Sequence, residues 1–226
     1  MKRTTFYVTG TDTGVGKTVL TALLVRYLRE RGLNAVALKP VCSGGRDDGR
    51  VLHAAANGVL TLDEINPWHF HAPIAPLLAA RREHRRVLLA DVLAHVRAMQ
   101  KRFDILLIEG AGGLLSPLGE DFDTRDLIAA LRAVPIVACP NRLGAVNQVL
   151  LTLEALPHGA AAKACVVLMP LPKPDAATKT NVDLLAEQFD GKRIFLLPWL
   201  GKRFNMASGS KNLRVRKAFR QLTSGF

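Results

Sequence analysis

The sequence predicts an α/β fold in which a doubly wound, mainly parallel sheet carries helices on both faces. Strand-like apolar runs alternate with amphipathic helical segments along the chain. Residues 103–109 are almost entirely apolar, which is typical of a strand buried on both faces of a parallel sheet. A glycine-rich turn at residues 10–18 separates the first strand from the first helix. Because no low-complexity linker interrupts the 226 residues, we expect one domain spanning residues 1–226.

The order of the elements follows from this alternation. Apolar runs predict strands at residues 4–9, 34–39, 103–109, 135–139, 164–169 and 193–197. Helical spacing predicts a first helix that ends near Gly32, then helices at residues 47–57, 85–102, 124–132, 145–156 and 181–189. Residues 66–76, rich in Pro, His and Asn, predict a loop, and the basic tail from Lys202 onward has no assignable pattern.

The composition is that of a soluble globular protein, with 49% hydrophobic and 22% charged residues. The sequence contains no stretch of about 18 uncharged apolar residues, which is the length needed to cross a bilayer. Its first residues carry no export signal. The three widely spaced cysteines, Cys42, Cys139 and Cys165, suit reduced thiols. These features predict a cytoplasmic protein.

The chain is strongly basic, with a net charge of +12 and an isoelectric point near 10.2. This charge favours anionic partners such as nucleotides, nucleic acid or an acidic surface. The basic clusters at residues 81–86 and 211–220 lack the interleaved aromatics of a base-stacking platform. We therefore interpret them as solvated helix faces and expect neither a nucleic-acid nor a membrane partner.

The glycine-rich turn, Gly-Thr-Asp-Thr-Gly-Val-Gly-Lys-Thr at residues 10–18, is typical of a phosphate-binding loop. Its glycines allow the backbone to fold around an anion, and the following helix directs its positive dipole end at the loop. Lys17 would contact the β and γ phosphates, and Thr18 would bind Mg²⁺. The loop is one residue longer between its outer glycines than the usual motif, so an ordinary glycine-rich turn is the alternative.

Polar residues at other predicted strand ends should meet this loop, because parallel strands place their carboxyl ends at one edge of a sheet. Glu109 could bind Mg²⁺ or position water, or could cap the next loop. Lys39 could neutralise a transferring phosphoryl group, or could extend from the strand end to solvent. Either Asp47 or Asp48 could add a metal ligand, although a helix N-terminus also favours acids.

Three stretches in order, residues 8–18, 39–44 and 109–118, resemble the dethiobiotin synthetase family of P-loop enzymes. Weaker similarity lies at residues 66–67 with Pro73, at 143–147 and at 198–200, so the resemblance extends over most of the chain. It implies the ATP-dependent and Mg²⁺-dependent closure of a ring from 7,8-diaminopelargonate and CO₂. A carbamate and then a carbamic-phosphoric anhydride would form on the way.

The resemblance also implies roles for single residues. Catalytic roles fall to Lys17, Lys39, Thr11 and Ser43, and metal binding to Thr18, Asp48 and Glu109. ATP binding falls to Gly10, Thr13, Gly14, Val15, Gly16, Lys17, Thr18, Glu109, Gly112, Met169, Pro198 and Leu200. The substrate would contact Thr11, Lys39, Ser43, Leu143 and Asn147, with its carboxylate bound across the interface of a homodimer.

One departure and one rival leave alternatives open. Where the family commonly has an asparagine for the nucleotide base, this chain has Leu168, Met169 and Pro170, so the base preference is open. The rival is a partitioning-type P-loop ATPase that acts on DNA or membrane, which the net charge would suit. Those proteins carry a lysine early in their loop, where this chain has Asp12, and this difference favours the synthetase.

Overall fold

The structure is a computed structural model that describes residues 3–201 and 204–224. Its strands are β1 (Thr4–Gly10), β2 (Ala35–Leu38), β3 (Val41–Ser43), β4 (Trp68–Phe70), β5 (Ile105–Glu109), β6 (Val134–Pro140), β7 (Cys165–Met169) and β8 (Ile194–Leu196). Six of them form one parallel sheet in the order β2-β5-β1-β6-β7-β8. The predicted fold class is confirmed, and β1 lies inside the sheet between β5 and β6.

The helices are α1 (Lys17–Glu30), α2 (Asp47–Ala55), α3 (Leu62–Ile65), α4 (Pro76–Arg82), α5 (Leu89–Arg102), α6 (Thr124–Leu131), α7 (Ala145–Glu154), α8 (Asn181–Gln188), α9 (Met206–Lys211) and α10 (Leu213–Leu222). On one face of the sheet α1 packs against β1, β2 and β5, and α2, α9 and α10 pack against α1. On the other face α5 contacts α6, and α7 contacts α8. The wholly buried β5 and β2 show why these strands lack polar residues until their ends.

The prediction of a loop at residues 66–76 was wrong in part. Residues Trp68–Phe70 form β4, which pairs in parallel with β3 as a second, two-stranded sheet. The backbone N–H of Trp68, the first residue of β4, donates at 3.0 Å to the carbonyl of Pro40, which immediately precedes β3. A three-residue strand is too short to show periodicity, and its pairing with a distant segment is visible only in the folded chain.

The structure differs from the prediction in two further places. The helix predicted from Arg85 begins at Leu89, because α4 ends at Arg82 and His84 adopts a positive φ of 51°. The basic tail, to which no secondary structure was assigned from the sequence, forms α9 and α10. Lys202 and Arg203, at the start of that tail, lie outside the described residues. Within the described ranges, no helix combines the length and the apolarity that crossing a membrane requires.

Glu30, at the end of α1, connects this helix to the tail. Its carboxylate accepts hydrogen bonds from the Ser210 hydroxyl at 2.7 Å and from the Arg216 guanidinium at 2.9 Å. Arg26, one turn earlier, donates at 3.2 Å. Partial burial opposes ionisation, but these bonds outweigh it and lower the pKa of Glu30. The tail is therefore attached to α1 by a charged contact as well as by apolar packing.

We expect Glu30→Gln to lower the free energy of unfolding by about 1 kcal/mol at pH 7, because it removes a partly buried charge with three donors. Since the pKa of Glu30 is lowered in the fold, its contribution is complete above the pKa of the unfolded chain. The contribution is lost as the pH falls through the folded value.

Urea unfolding of both proteins between pH 3 and pH 7 measures this difference. Glu187→Gln changes an exposed acid on α8 and serves as the matched control. Equal stability of Glu30→Gln and the parent chain at pH 7 would contradict the expected role.

Candidate active site

The loop between β1 and α1 presents backbone N–H groups to the carboxyl edge of the sheet. Gly14 and Gly16 adopt positive φ angles of 72° and 95°, which an L side chain rarely adopts. At Gly16 a Cβ atom would also lie 2.8 Å from Cε of Met169. Gly16 caps α1 without a side-chain hydrogen bond, and the first turn of the helix contains no acid. The free N–H groups of this turn can therefore bind an anion.

Two strand ends bring a buried lysine and a buried glutamate together beside the loop. Lys39 follows β2 and Glu109 ends β5, its neighbour in the sheet. Lys39 Nζ lies 2.6 Å from Glu109 Oε1 and 2.5 Å from Oδ2 of Asp48, which is in the first turn of α2. Thr18 Oγ1 donates to the same oxygen of Glu109 at 2.7 Å. The other oxygen, Glu109 Oε2, is buried and has no hydrogen-bond partner.

The charges of these groups depend on one another. Burial opposes protonation of Lys39, but the carboxylates of Glu109 and Asp48 outweigh it and raise its pKa. Burial likewise opposes ionisation of Asp48, but Lys39 outweighs it and lowers the Asp48 pKa. For Lys17, burial and the repulsion from Lys39 lower the pKa to about 8. Lys17 donates to the backbone carbonyl of Asp12 at 2.8 Å, which is a neutral group. An anion bound on the loop would therefore supply a negatively charged partner for its ammonium group.

These groups line a cavity of about 740 Å³. Residues 73–76 lie along the opposite wall, where the Ser43 hydroxyl donates to the carbonyl of Ile74 at 2.5 Å. Ser43 thus holds this segment against β3. Of the residues predicted for the site, ten line this cavity: Thr13, Gly14, Gly16, Lys17, Thr18, Lys39, Ser43, Asp48, Glu109 and Gly112.

A second, apolar cavity of about 200 Å³ adjoins the loop on its other side. The remaining predicted nucleotide contacts that line it are Val15, Met169, Pro198 and Leu200. Gly10 lines neither cavity, but a Cβ atom there would lie 2.6 Å from Cγ2 of Val15, inside the loop. The structure therefore divides the predicted nucleotide residues into a polar and an apolar group.

Three predicted substrate residues do not line the main cavity. Thr11 lines a separate cavity of about 490 Å³, next to Leu151 and Gly113. Leu143 is 76% exposed, and Asn147 is also exposed on the first turn of α7. Within one chain these two residues form part of the outer surface and not of the site.

Other residues line the two cavities without having been predicted. Cys42 and Ser116 line the main cavity, and Trp199 lines the apolar one. Cys42 comes three residues after Lys39, and Ser116 follows the glycine-rich turn after β5, so proximity in sequence could have indicated both. Trp199 lies between Pro198 and Leu200, both of which were predicted to contact ATP, so proximity in sequence could have indicated it too.

We expect Lys39→Met to lower the free energy of unfolding by about 3 kcal/mol or more, because it leaves the buried carboxylate of Glu109 beside Asp48 without a cation. The double variant Lys39→Met with Glu109→Gln should recover at least half of this loss. Denaturant unfolding of both variants and of the single variant Glu109→Gln, without nucleotide or divalent cation, measures the coupling.

Lys101→Met, at an exposed lysine of α5, is the control and should be nearly neutral. If the double variant loses as much stability as the two single variants added together, the two side chains are not coupled as the distance indicates.

The loop before α1, with a lysine, a hydroxyl and strand-end charges around it, defines a P-loop nucleotide-binding α/β protein. A family model described as an AAA domain matches residues 4–206. The chain belongs to this family and, by the following relatives, to the family of ATP-dependent dethiobiotin synthetases. The predicted resemblance is confirmed, and the chain is an enzyme of an ATP-dependent type.

The relatives match most of the chain. The ATP-dependent dethiobiotin synthetase BioD of Anaeromyxobacter dehalogenans (strain 2CP-C) is 42% identical over 198 residues, which are 85% of this chain and 89% of that protein. The protein of the same name from Thermodesulfovibrio yellowstonii is 35% identical over 212 residues, which are 86% of this chain and 88% of that protein.

Solved structures of other proteins are similar to this chain in fold alone. A ParA family ATPase from Chlorobium tepidum has a TM-score of 0.58 at 10% identity, covering 99% of either chain. The MinC:MinD cell division complex from Aquifex aeolicus gives 0.56 at 14% identity, covering 98% of this chain and 95% of that one. At these identities the similarity extends to the arrangement of strands and helices and not to the partners of those proteins.

Proposed function

We propose that this chain closes the ureido ring of dethiobiotin from 7,8-diaminopelargonate, CO₂ and ATP. The observation that carries the proposal is the pair of buried lysines, Lys17 and Lys39, that face one cavity together with two carboxylates beside a phosphate loop. This charge arrangement suits a reaction in which an anionic carbamate meets the γ-phosphate of ATP. The family relationship supports the same reaction.

The proposed chemistry has three steps. One amine of the substrate attacks CO₂ and loses a proton, which gives a carbamate. A carbamate oxygen then attacks the γ-phosphorus of ATP, and the bond from that phosphorus to the bridging oxygen of ADP breaks. The second amine attacks the carbamate carbon, loses a proton and expels phosphate, which closes the ring.

Lys17 and the N–H groups at the start of α1 would bind the β and γ phosphates, where the anion would favour the protonated lysine. Lys39 would neutralise charge on the carbamate and on the transferring phosphoryl group. Both lysines are almost fully buried, so their interactions with these anions are little weakened by water. Thr11 and Ser43 would lie near the reacting end of the substrate, with Ser43 acting through the segment that it holds.

The donor set at the strand ends also fits Mg²⁺. Glu109 Oε2 is a buried oxygen without a partner, and Thr18 and Asp48 line the same cavity. Within the described part of the chain, no group of three or more His, Cys, Asp or Glu residues could hold a metal. A hydroxyl and two carboxylates nevertheless suit Mg²⁺, which usually keeps several waters. When bound by Thr18, Asp48 and Glu109, Mg²⁺ would supply positive charge that neutralises the phosphates.

The decisive experiment incubates the protein with ATP, Mg²⁺, bicarbonate and 7,8-diaminopelargonate and measures dethiobiotin and phosphate together. We expect equal amounts of both, and no phosphate release when the diamine is omitted. Lys17→Gln should lower turnover by a factor on the order of 100 to 1,000, because it removes the buried cation of the loop.

The thermal unfolding midpoint of Lys17→Gln should not fall, because burial disfavours the charged form of Lys17 in the protein without nucleotide. Lys101→Gln is the control that changes a lysine of α5 outside the site. Unchanged turnover of Lys17→Gln would remove the loop lysine from the mechanism.

A homodimer is the second part of the proposal, with Leu143 and Asn147 of one subunit meeting the substrate carboxylate of the other. Both residues are exposed in the single chain, and Leu115 and Leu151 add exposed apolar area of 55% and 62% of their surfaces. An apolar surface of this kind favours association.

We expect sedimentation to give a dimer and Leu143→Asp to shift it toward monomer, with a raised KM for the diamine. Leu184→Asp, at an exposed leucine of α8, is the control and should keep both properties. A parent chain that sediments as a monomer at assay concentrations while fully active would contradict the proposed dimer.

The alternative is a partitioning-type ATPase that acts on DNA or membrane, which the net charge of +12 would suit. Asp12, where those proteins carry a lysine, favours the synthetase instead. The same assay separates the two, because phosphate release that responds to DNA or to vesicles and ignores the diamine would support the ATPase.

A further inference from the structure

The apolar cavity beside the loop is the place where a nucleoside would extend from phosphates bound there. It shares Gly14, Gly16 and Val19 with the main cavity, so the two are continuous around the loop. A triphosphate on the loop would therefore direct its ribose and base toward Met169 and Trp199.

The wall of this cavity offers the base apolar surface. Its side chains include Leu23, Leu197, Leu200 and Phe204. Three further wall positions are prolines, Pro140, Pro170 and Pro198, which have no backbone N–H to donate. Trp199 is 46% exposed, which leaves much of its surface accessible to a ligand.

The two amide side chains that follow wall residues in the sequence, after Pro140 and after Phe204, are already engaged. Asn141 donates to the carbonyl of Thr178 at 3.1 Å and accepts from Asn181 at 2.9 Å. Oδ1 of Asn205 accepts from two backbone N–H groups at the start of α9. Among the described wall residues, none is a side-chain amide or carboxylate that could read the edge of a base.

The strand-end carbonyls are engaged as well. The carbonyl of Met169 accepts from the N–H of Asn141 at 2.8 Å, and that of Leu168 accepts from Leu197 at 3.2 Å. These interactions hold β6, β7 and the segment after β8 together, and each of the two carbonyls has a partner without a base.

We infer that this site takes nucleoside triphosphates as a class, with the base held by stacking and dispersion and not by hydrogen bonds from side chains to its edge. The inference rests on the proposed function and specifies its phosphoryl donor. A site built around hydrogen bonds rejects a ligand that lacks them by a factor on the order of 10⁴, whereas an apolar pocket discriminates far less. Every base has a π-face, so stacking on Trp199 tolerates all four.

The first test measures displacement of a ribose-labelled fluorescent ATP analogue by ATP, GTP, CTP and UTP in the presence of Mg²⁺. We expect the four dissociation constants to lie within about thirtyfold of one another. A preference for ATP of more than thirtyfold over each of the others would overturn the inference while leaving the proposed function intact. If none of the four displaces the probe, the inference and the proposed function both fail.

The second test is Trp199→Ala. Loss of stacking should weaken all four triphosphates by a similar factor of about five or more, while inorganic triphosphate keeps its affinity. Leu184→Ala, at a leucine of α8 with the same exposure of 46%, is the matched control and should bind all ligands as the parent does. A loss confined to ATP, or no loss for any nucleotide, would overturn the role of the ring.

Discussion

The ion pair between Lys39 and Glu109 is the interaction on which the site depends. It joins the ends of two neighbouring strands, and Asp48 attaches α2 to the same ammonium group. Removing these charges from water is costly, and a buried ion pair seldom stabilises a fold more than apolar side chains of the same size would. A gain in stability therefore does not explain its position at the strand ends beside the phosphate loop, and a role in the candidate site does. The pair also leaves Glu109 Oε2 without a hydrogen-bond partner, so a carboxylate oxygen remains available for a ligand in the cavity.

The position of β1 inside the sheet determines how the site is divided. On one side of it, β5 and β2 end in Glu109 and Lys39. On the other side, β6, β7 and β8 lead into the proline-rich segments that form the apolar cavity. The loop after β1 lies between the two and borders both cavities. The sheet order thus separates the cavity lined by charged side chains from the apolar cavity within one chain.

The sequence predicted the main sheet and most of the polar site because both depend on local patterns. The apolar run that ends in Glu109 and the loop that ends in Lys17 and Thr18 can be recognised without knowing their neighbours. The pairing of β4 with β3 could not be predicted, since it depends on contact between segments about 27 residues apart, such as Val41 with Trp68. Leu143 marks another limit, because the meaning of an exposed leucine depends on a second molecule that the sequence does not show.

The basic tail, whose sequence showed no assignable pattern, also borders the apolar cavity beside the phosphate loop. Phe204 lies on the wall of the apolar cavity, and Gly209 of α9 is close enough to Leu23 and Leu200 that a Cβ atom there would lie 3.0 and 3.2 Å from them. The same tail also fills part of the buried core, where the ring of Phe219 packs against Tyr27 of α1. A chain cut before residue 204 would therefore lose one wall of the apolar cavity and part of the packing that supports α1, the helix that begins at Lys17.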